Sequence, residues 1–280
     1  MRKPSWSDKL DRIAEAAARR FLRALGVQNV GTIVAAELGT GWGDSIAPEW
    51  FIQLTAISDI FETLEDISGH ARRIGIATIG GHRVVVVSGR VHMYEKNPKA
   101  LYVLERILWE LGIRRLILTS ASGGLRRSVY KGDIIFADGL VKKGPSPLQG
   151  ARYADHGVVL DHALARRLFV ECTAQAKHIG TIVYNEGPEF ESEDDRVSID
   201  QPGAVSVGMS LVPQAALWAY FTVTAGLKPK EDAFIVAVSC ISNGKEDPHG
   251  HPSNTAVLRS KATELGLVLE GVVKTVATIC

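Results

Sequence analysis

The chain has few cysteines, no excess of charge of either sign and no long apolar run. Its three cysteines, Cys172, Cys240 and Cys280, are scattered and odd in number, which gives no metal spacing and favours a reducing compartment. Lysine plus arginine (32) nearly balance aspartate plus glutamate (31), for a net charge of +1, so charge indicates neither nucleic-acid nor membrane binding. No apolar run could span a bilayer, and the N-terminus is too polar for a signal peptide. We therefore expect a cytoplasmic protein.

The chain has the composition of a globular protein. It has 280 residues, of which 46% are hydrophobic and 22% charged, enough to bury a sizeable core. The length fits one large α/β domain or two small ones. Because no internal repeat, low-complexity segment or shift of composition marks a boundary, we predict a single domain over residues 1–280, with an N-terminal helix within residues 1–25.

Apolar periodicity predicts alternating helices and buried strands. Helices are predicted over residues 7–25, 98–111, 161–178 and 212–225, with a C-terminal helix beginning near residue 255. Strands are predicted over residues 30–38, 75–79, 83–88, 116–120, 134–136, 181–185, 204–207 and 234–238. Gly80-Gly81 predicts a hairpin between the second and third of these strands, and residues 141–157 are predicted to form a long irregular loop.

A glycine-rich turn, Gly39-Thr40-Gly41-Trp42-Gly43, follows the first predicted strand. Alternating glycines permit positive φ and the close approach of a ligand, and successive N–H groups in such a turn can cradle an anion. Thr40 adds a hydroxyl donor, although a tight turn without a ligand explains the same string. The spacing matches neither a dinucleotide fingerprint, which needs another glycine and an acidic partner, nor a P-loop, which needs a Lys-Ser/Thr pair.

A second polar cluster follows the valine run that ends at Ser88. Arg90 offers a planar fork suited to phosphate oxygens, and His92 either donates to the same anion or loses its proton near neutral pH. A solvated turn explains Arg90 and His92 equally well when the motif is taken alone. It is the complementary chemistry at other strand ends that favours a binding site.

Two further clusters combine polar and aromatic residues. Phe190 offers a flat face and Glu191 a carboxylate that only accepts hydrogen bonds, although the neighbouring acidic residues also fit a surface loop. His249 and His251 lie close to Asp247, a composition that hints at a metal. We expect a polar loop there and no metal site, since no regular spacing fixes the two histidines.

Six motifs in chain order resemble the trimeric purine nucleoside phosphorylases and their relatives that cleave methylthioadenosine. The motifs are Gly39-Thr40-Gly41, Gly89-Arg90-Val91-His92-Met93-Tyr94-Glu95, Ala121-Ser122-Gly123-Gly124, Gly187-Pro188-Glu189-Phe190-Glu191, Val207-Gly208-Met209-Ser210 and Ser242-Asn243. The resemblance extends from about residue 30 to the C-terminal helix, and each motif lies at a predicted strand end.

The resemblance implies a fold, an assembly and a reaction. The fold is an α/β/α sandwich around a mixed, partly barrel-like sheet, and the assembly is a homotrimer. The reaction is reversible phosphorolysis of a nucleoside, with inorganic phosphate as co-substrate and no cofactor. The implied phosphate-binding residues are Thr40, Arg90, His92, Ala121 (through its backbone N–H) and Ser210. The implied nucleoside-binding residues are Tyr94, Phe190, Glu191, Val207, Met209 and Asn243, with Asn243, Glu191 and His92 as catalytic residues.

The same resemblance favours 6-oxopurine nucleosides such as inosine and guanosine. The methylthioadenosine branch has an acid where Asn243 stands and lacks the Phe-Glu pair, whereas Thr40 fits that branch better than the 6-oxopurine branch. A methylthioadenosine or 6-aminopurine nucleoside phosphorylase is therefore the first alternative. A catalytically weak nucleoside-binding homologue is the second.

Several positions depart from the family pattern. Asn254 stands where the family offers a histidine to the ribose 5′-hydroxyl, and either His249 or His251 is a possible substitute. Glu37 replaces an apolar residue in the first strand, Trp42 replaces a smaller one in the glycine-rich turn, and Glu189 adds a charge beside the base-binding pair. Tyr153 is a weak candidate for the aromatic residue that a neighbouring subunit lends to the site.

Overall fold

The structure, a computed structural model, describes residues 6–57, 72–148, 154–245 and 251–279. Its strands form one mixed nine-stranded sheet with the order β2-β3-β4-β1-β5-β8-β7-β6-β9. The strands are β1 (Val34–Leu38), β2 (Phe51–Ala56), β3 (Arg73–Ile79), β4 (His82–Ser88), β5 (Arg115–Gly124), β6 (Ile134–Lys142), β7 (Ala176–Tyr184), β8 (Ala204–Gly208) and β9 (Phe234–Asn243). The helices are α1 (Trp6–Ala24), α2 (Pro98–Glu110), α3 (His162–Glu171), α4 (Glu193–Ile199), α5 (Val212–Thr224), α6 (His251–Ser260) and α7 (Ala262–Thr278).

The sheet closes on itself at one side. Strand β5 pairs in parallel with both β1 and β9, and its last two residues also pair with β8 in the antiparallel sense. Since β8, β7, β6 and β9 are successive neighbours, the five strands from β5 to β9 form a closed ring. The prediction of a mixed, partly barrel-like sheet is thereby confirmed.

Helices cover both faces of the sheet. On one face α1, α2 and α5 share a core that includes Phe21, Leu101 and Trp218. On the other face α3, α6 and α7 pack around a second core that includes Leu168 and Leu258. The predicted α/β/α sandwich is confirmed. Among the described residues, no helix combines the length and apolar character needed to cross a membrane.

Most of the predicted elements are present, but several boundaries were wrong. The first strand begins at Val34 and not at residue 30, because a turn at Gly31 with φ of +68° precedes it. Strands β5, β6 and β9 extend further than predicted, so residues 121–124 and 239–243 lie inside the sheet and not beyond it. The closed ring supplies pairing partners for these serine- and glycine-rich strand ends, and a short-range pattern does not reveal such partners.

The helical predictions contain three errors. Helix α3 ends at Glu171, and residues 176–178 belong to strand β7. The single C-terminal helix that we predicted is in fact two helices. The first, α6, begins at His251, and Lys261 separates it from the second, α7. Helix α4 was missed: the Ser192 side chain accepts a hydrogen bond from the Asp195 N–H (3.1 Å), so the acidic segment begins a capped helix and is not an irregular loop. Strand β2 was also missed.

Candidate active site

A cavity lies where strands β8 and β9 both meet the end of β5. Gly123 of β5 pairs with Val207 of β8 and with Asn243 of β9, so three strand ends converge on one place. All eleven residues that the resemblance assigned to the site line this cavity: Thr40, Arg90, His92, Tyr94, Ala121, Phe190, Glu191, Val207, Met209, Ser210 and Asn243. Their individual roles remain predictions.

Arg90 is held rigidly at one end of the cavity. The residue is only 1% exposed. Its Nη1 donates to Ser210 Oγ at 3.0 Å, while Nη2 donates to the backbone carbonyls of Glu37, at 3.1 Å, and Thr119. Burial lowers the pKa of Arg90, an effect that the nearby carboxyl groups of Glu37 and Glu105 oppose. The result is a fixed, buried guanidinium at the cavity wall, a group suited to binding an anion.

His92 lies beside Arg90, in the loop after β4. Its ring stacks on the Tyr94 ring, with 4.8 Å between centroids and 16° between planes, and its backbone N–H donates to Glu95 Oε1 at 2.8 Å. Burial is the main reason that the pKa of His92 is lowered, and Arg90 adds to the effect, whereas Glu95 opposes it. His92 is therefore neutral at neutral pH, with one ring nitrogen able to donate and the other able to accept.

Glu95 contacts His92 and is itself paired with Arg72. Sequence reasoning assigned neither Glu95 nor Arg72 to the site. Their side chains are 4% and 6% exposed and form an ion pair. Burial alone would raise the pKa of Glu95, but its bonds with His92 and the charge of Arg72 outweigh burial and lower it. Glu95 was visible as part of the His92 motif, whereas nothing in the sequence around Arg72 pointed to the site.

The glycine-rich turn forms another wall of the cavity beside Arg90. Gly41 has φ of +81°, and a Cβ there would lie 2.3 Å from Leu258 Cβ, so only glycine fits. Trp42 is completely buried and its Nε1 donates to the Ser120 carbonyl at 2.8 Å. Trp42 does not line the cavity, so it braces the turn against β5 and does not narrow the pocket.

The opposite end of the cavity, further along β5, carries an amide and a carboxylate. Arg90 contacts the Thr119 carbonyl, whereas Asn243 pairs with Gly123, four residues beyond Thr119. Asn243 is 3% exposed, and its Oδ1 accepts from Ser242 Oγ at 3.0 Å. Glu191 is 7% exposed, and its Oε1 accepts from Asn185 Nδ2 at 3.2 Å. Phe190 is 38% exposed. This end therefore presents hydrogen-bonding groups beside an accessible aromatic ring, an arrangement suited to a flat heterocycle.

Serine hydroxyls, which sequence reasoning also missed, form the floor between the two ends. Ser120 Oγ and Ser122 Oγ lie 2.9 and 2.7 Å from Ser239 Oγ, and Ser242 Oγ, which shares its one proton with Asn243 Oδ1, lies 3.3 Å from the Ser122 carbonyl. These bonds join β5 to β9 below the cavity. Ser120, Ser122 and Ser242 line it directly, so the floor is both polar and fixed.

The remaining sequence candidates are only partly described. Tyr153 and His249 lie outside the described residues, while His251 and Asn254 belong to α6, whose Thr255 and Leu258 line the cavity. Glu189 is exposed and is not part of the lining. Within the described ranges, no cluster of three or more potential metal ligands occurs.

Comparison with known proteins places the chain in a family. The sequence profile described as the phosphorylase superfamily matches residues 49–274. The chain is 30% identical over 199 residues to purine nucleoside phosphorylase of Bos taurus, covering 65% of this chain and 68% of that relative. It is 28% identical over 273 residues to purine nucleoside phosphorylase of Mycobacterium tuberculosis, covering 94% and 96% of the two chains.

The fold agrees with the same assignment. The crystal structure of isoform 2 of purine nucleoside phosphorylase from Schistosoma mansoni, in complex with cytosine and ribose-1-phosphate, matches with a TM-score of 0.76. That match covers 96% of this chain and 97% of the other, at 24% identity. The chain thus belongs to the phosphorylase superfamily and, within it, to the purine nucleoside phosphorylase family of pentosyltransferases.

Proposed function

We propose that this chain catalyses the reversible phosphorolysis of 6-oxopurine nucleosides, inosine and guanosine, to free base and ribose 1-phosphate. The observation that carries the proposal is one cavity with a buried, fixed guanidinium at one end and an amide–carboxylate pair at the other. We further propose that the enzyme works in purine salvage, as a cytoplasmic homotrimer, with phosphate as co-substrate and without a cofactor.

The end of the cavity that contains Arg90 suits inorganic phosphate. Arg90 supplies the positive charge, Thr40 and Ser210 supply hydroxyls, and neutral His92 supplies a ring N–H. Ser210 lies two residues before the first residue of helix α5, so the positive end of the helix dipole adds to the potential there. The Ala121 backbone N–H completes this proposed set of donors, and hydrogen bonds to an anionic oxygen are among the strong ones.

The chemistry requires both ends at once. In phosphorolysis, a phosphate oxygen forms a bond to ribose C1′ while the bond from C1′ to the purine nitrogen breaks, and its electron pair leaves with the base. Positive charge gathers on the sugar and is stabilised by the phosphate held at Arg90. Negative charge gathers on the purine and is stabilised by the donating amide of Asn243. Such preorganised groups act on charge as it develops, and one lost donor costs about 2.7–4 kcal/mol in a comparable site.

The amide and the carboxylate also support a preference for 6-oxopurines. Asn243 can donate to the 6-oxo group, and Glu191 can accept from the protonated ring nitrogen beside it. Adenine presents an amino group and a lone pair at these positions, so the lone pair faces the Glu191 carboxylate. A site built around such pairs discriminates by about 10⁴-fold or more.

A substrate panel with and without phosphate tests the proposal. We expect phosphate-dependent release of hypoxanthine from inosine and of guanine from guanosine, with kcat/KM far above that for adenosine. Thr40 supports one competing function, since the methylthioadenosine branch uses threonine there, and a higher kcat/KM for methylthioadenosine would establish it. Binding of base or phosphate without turnover of any nucleoside would instead identify a weak binding homologue.

A further inference from the structure

Two buried glutamates lie behind Arg90, outside the cavity lining. Glu37 of β1 and Glu105 of α2 are both 0% exposed. Ala35 belongs to the core that α2 and α5 cover, and Glu37, two residues further along the strand, faces the same side. Glu105 comes from the buried face of α2, so β1 and α2 bring two carboxyl groups into one apolar core.

The hydrogen bonds of these groups do not suit two ionised carboxylates. Trp218 Nε1 donates to Glu105 Oε2 at 2.8 Å. Except for each other, both carboxyl oxygens of Glu37 and Oε1 of Glu105 have no hydrogen-bonding partner among the described residues. One proton between the carboxyl groups supplies the missing donor and halves the buried negative charge.

The electrostatic surroundings agree with a shared proton. Burial raises the pKa of Glu37, with Arg90 opposing, and burial together with the Glu37 charge raises the pKa of Glu105 well above its usual value. The other ionisable groups that act on Arg90 or on its neighbour His92 are Tyr94, whose pKa burial raises to about 12, and the Arg72–Glu95 pair, which balances its own charge. Arg90 is thus the cation that the shared negative charge faces.

We propose that Glu37 and Glu105 share one proton and act as positioning residues, providing the resting counter-charge of Arg90 that sets how tightly the cavity holds phosphate. This inference rests on the proposed function, because it takes phosphate as the anion at Arg90. The negative charge of the carboxyl pair and that of an incoming phosphate both act on Arg90 from nearby, and the two negative charges repel each other. The pair therefore weakens phosphate binding and takes up further protonation when phosphate arrives.

The test measures binding of inorganic phosphate by calorimetry in two buffers of different ionisation enthalpy. In E37Q/E105Q the buried negative charge is gone, and we expect phosphate to bind about tenfold more tightly, as for one unit of pKa coupling. In the single variant E105Q the amide replaces the protonated carboxyl group and Glu37 keeps its charge. The increase in phosphate affinity should therefore be confined to the double variant. E110Q removes an acid from the same helix, where Glu110 pairs with Arg106 on the other side, and is the matched control.

Proton uptake provides the second readout. At the same pH, we expect the wild type to take up more protons on binding phosphate than the double variant does. An equal phosphate affinity and equal proton uptake in the two proteins would overturn the proposal. So would tighter binding in E110Q of the same size as in the double variant.

Infrared spectroscopy keeps the proposal testable if the double variant does not fold. The wild type at neutral pH should show the carbonyl band of a buried protonated carboxyl group, and E105Q should lose it. Absence of that band in the wild type would overturn the inference. A wild type that shows the band but neither binds phosphate nor cleaves inosine would refute the proposed function and not the shared proton.

Discussion

The two ends of the cavity differ in how firmly the fold holds them. At the anion end, Arg90 is 1% exposed and donates to Ser210 and to two backbone carbonyls. At the base end, Phe190 is 38% exposed, and Glu191 accepts a hydrogen bond from Asn185 at 3.2 Å within the part of the chain that the structure describes. Both ends lie against the same serine residues of β5 and β9. The difference therefore concerns the residues at each end and not the strands beneath them.

The contrast indicates a division of labour. A rigid anion end preorganises the group that every substrate has in common, which lowers the reorganisation needed in the transition state. A less constrained base end can distinguish one heterocycle from another through a few hydrogen bonds. Changes at the anion end should therefore impair every substrate alike, whereas changes at the base end should alter substrate preference.

Replacement of Arg90 should have the largest effect. In R90K the ammonium group cannot donate to Ser210 and two carbonyls while also facing an anion, because it lacks the planar fork. We expect kcat/KM for phosphate to fall about 10²–10³-fold, the cost of one preorganised donor. Steady-state kinetics with phosphate varied at saturating inosine and at saturating guanosine measure the loss. Unequal losses for the two nucleosides would contradict a common anion end.

Asn243→Asp should produce the second largest effect, and a selective one. The new carboxylate cannot donate to a 6-oxo group but can accept from the amino group of adenine. We expect kcat/KM for inosine to fall about 10²-fold or more relative to that for adenosine, while the KM for phosphate changes little. The ratio of the two kcat/KM values is the measurement. An unchanged ratio would mean that Asn243 does not contact the base.

The resemblance to the purine nucleoside phosphorylases supplied the site residues, and the positions of the motifs along the chain supported it for a physical reason. Thr40, Arg90 and Ser210 each follow a short buried strand, and strand ends that meet at one edge of a sheet bring their loops together. The order of the motifs therefore indicated which residues line the cavity, even where individual strand boundaries were wrong.

What sequence reasoning missed depends on contacts between distant segments. Asn185 looked like the last residue of a strand, and only the folded loop brings it to Glu191. Glu37 was visible as a charged residue in an apolar strand, but Glu105 lies in an ordinary helical pattern, and nothing local indicates that the two meet. The serines of β5 and β9 have weak strand propensity, and their pairing depends on closure of the ring.

Asn185→Ala should have a moderate effect that is confined to the base end. Loss of the donor leaves the Glu191 carboxylate without this positioning contact, and a hydrogen bond to a charged group contributes about 1.5–3 kcal/mol. We expect KM for guanosine to rise about tenfold with kcat less affected, and KM for phosphate to stay the same. N185Q, which retains an amide, should recover part of the loss. Equal changes in both KM values would mean that Asn185 supports the whole cavity.

The pH dependence of stability should reveal the protonated carboxyl group behind the anion end. The folded-state pKa of Glu105 is raised above its usual 4.5, so the folded chain keeps a proton that the unfolded chain loses. Between 4.5 and the raised pKa, the free energy of unfolding should fall as pH rises, by up to about 1.4 kcal/mol per pH unit. Denaturant unfolding of the wild type and of E105Q across this window is the measurement. Parallel profiles would contradict a raised Glu105 pKa.

The smallest effect should come from the ion pair that joins the two ends. Lys96 directly follows the motif of residues 89–95, and Glu186 directly precedes the motif of residues 187–191. The two side chains form an ion pair, with Lys96 Nζ 2.9 Å from Glu186 Oε1. The Lys96 side chain is 73% exposed, and such pairs contribute about 0.2–1 kcal/mol because water and salt screen them. We expect K96M to raise KM for inosine less than about fivefold, and less still in high salt. K99M, which changes another exposed lysine three residues further along the chain, is the matched control. A larger and salt-independent effect would mean that the ends are coupled through more than this pair, and the division of labour between them would then be incomplete.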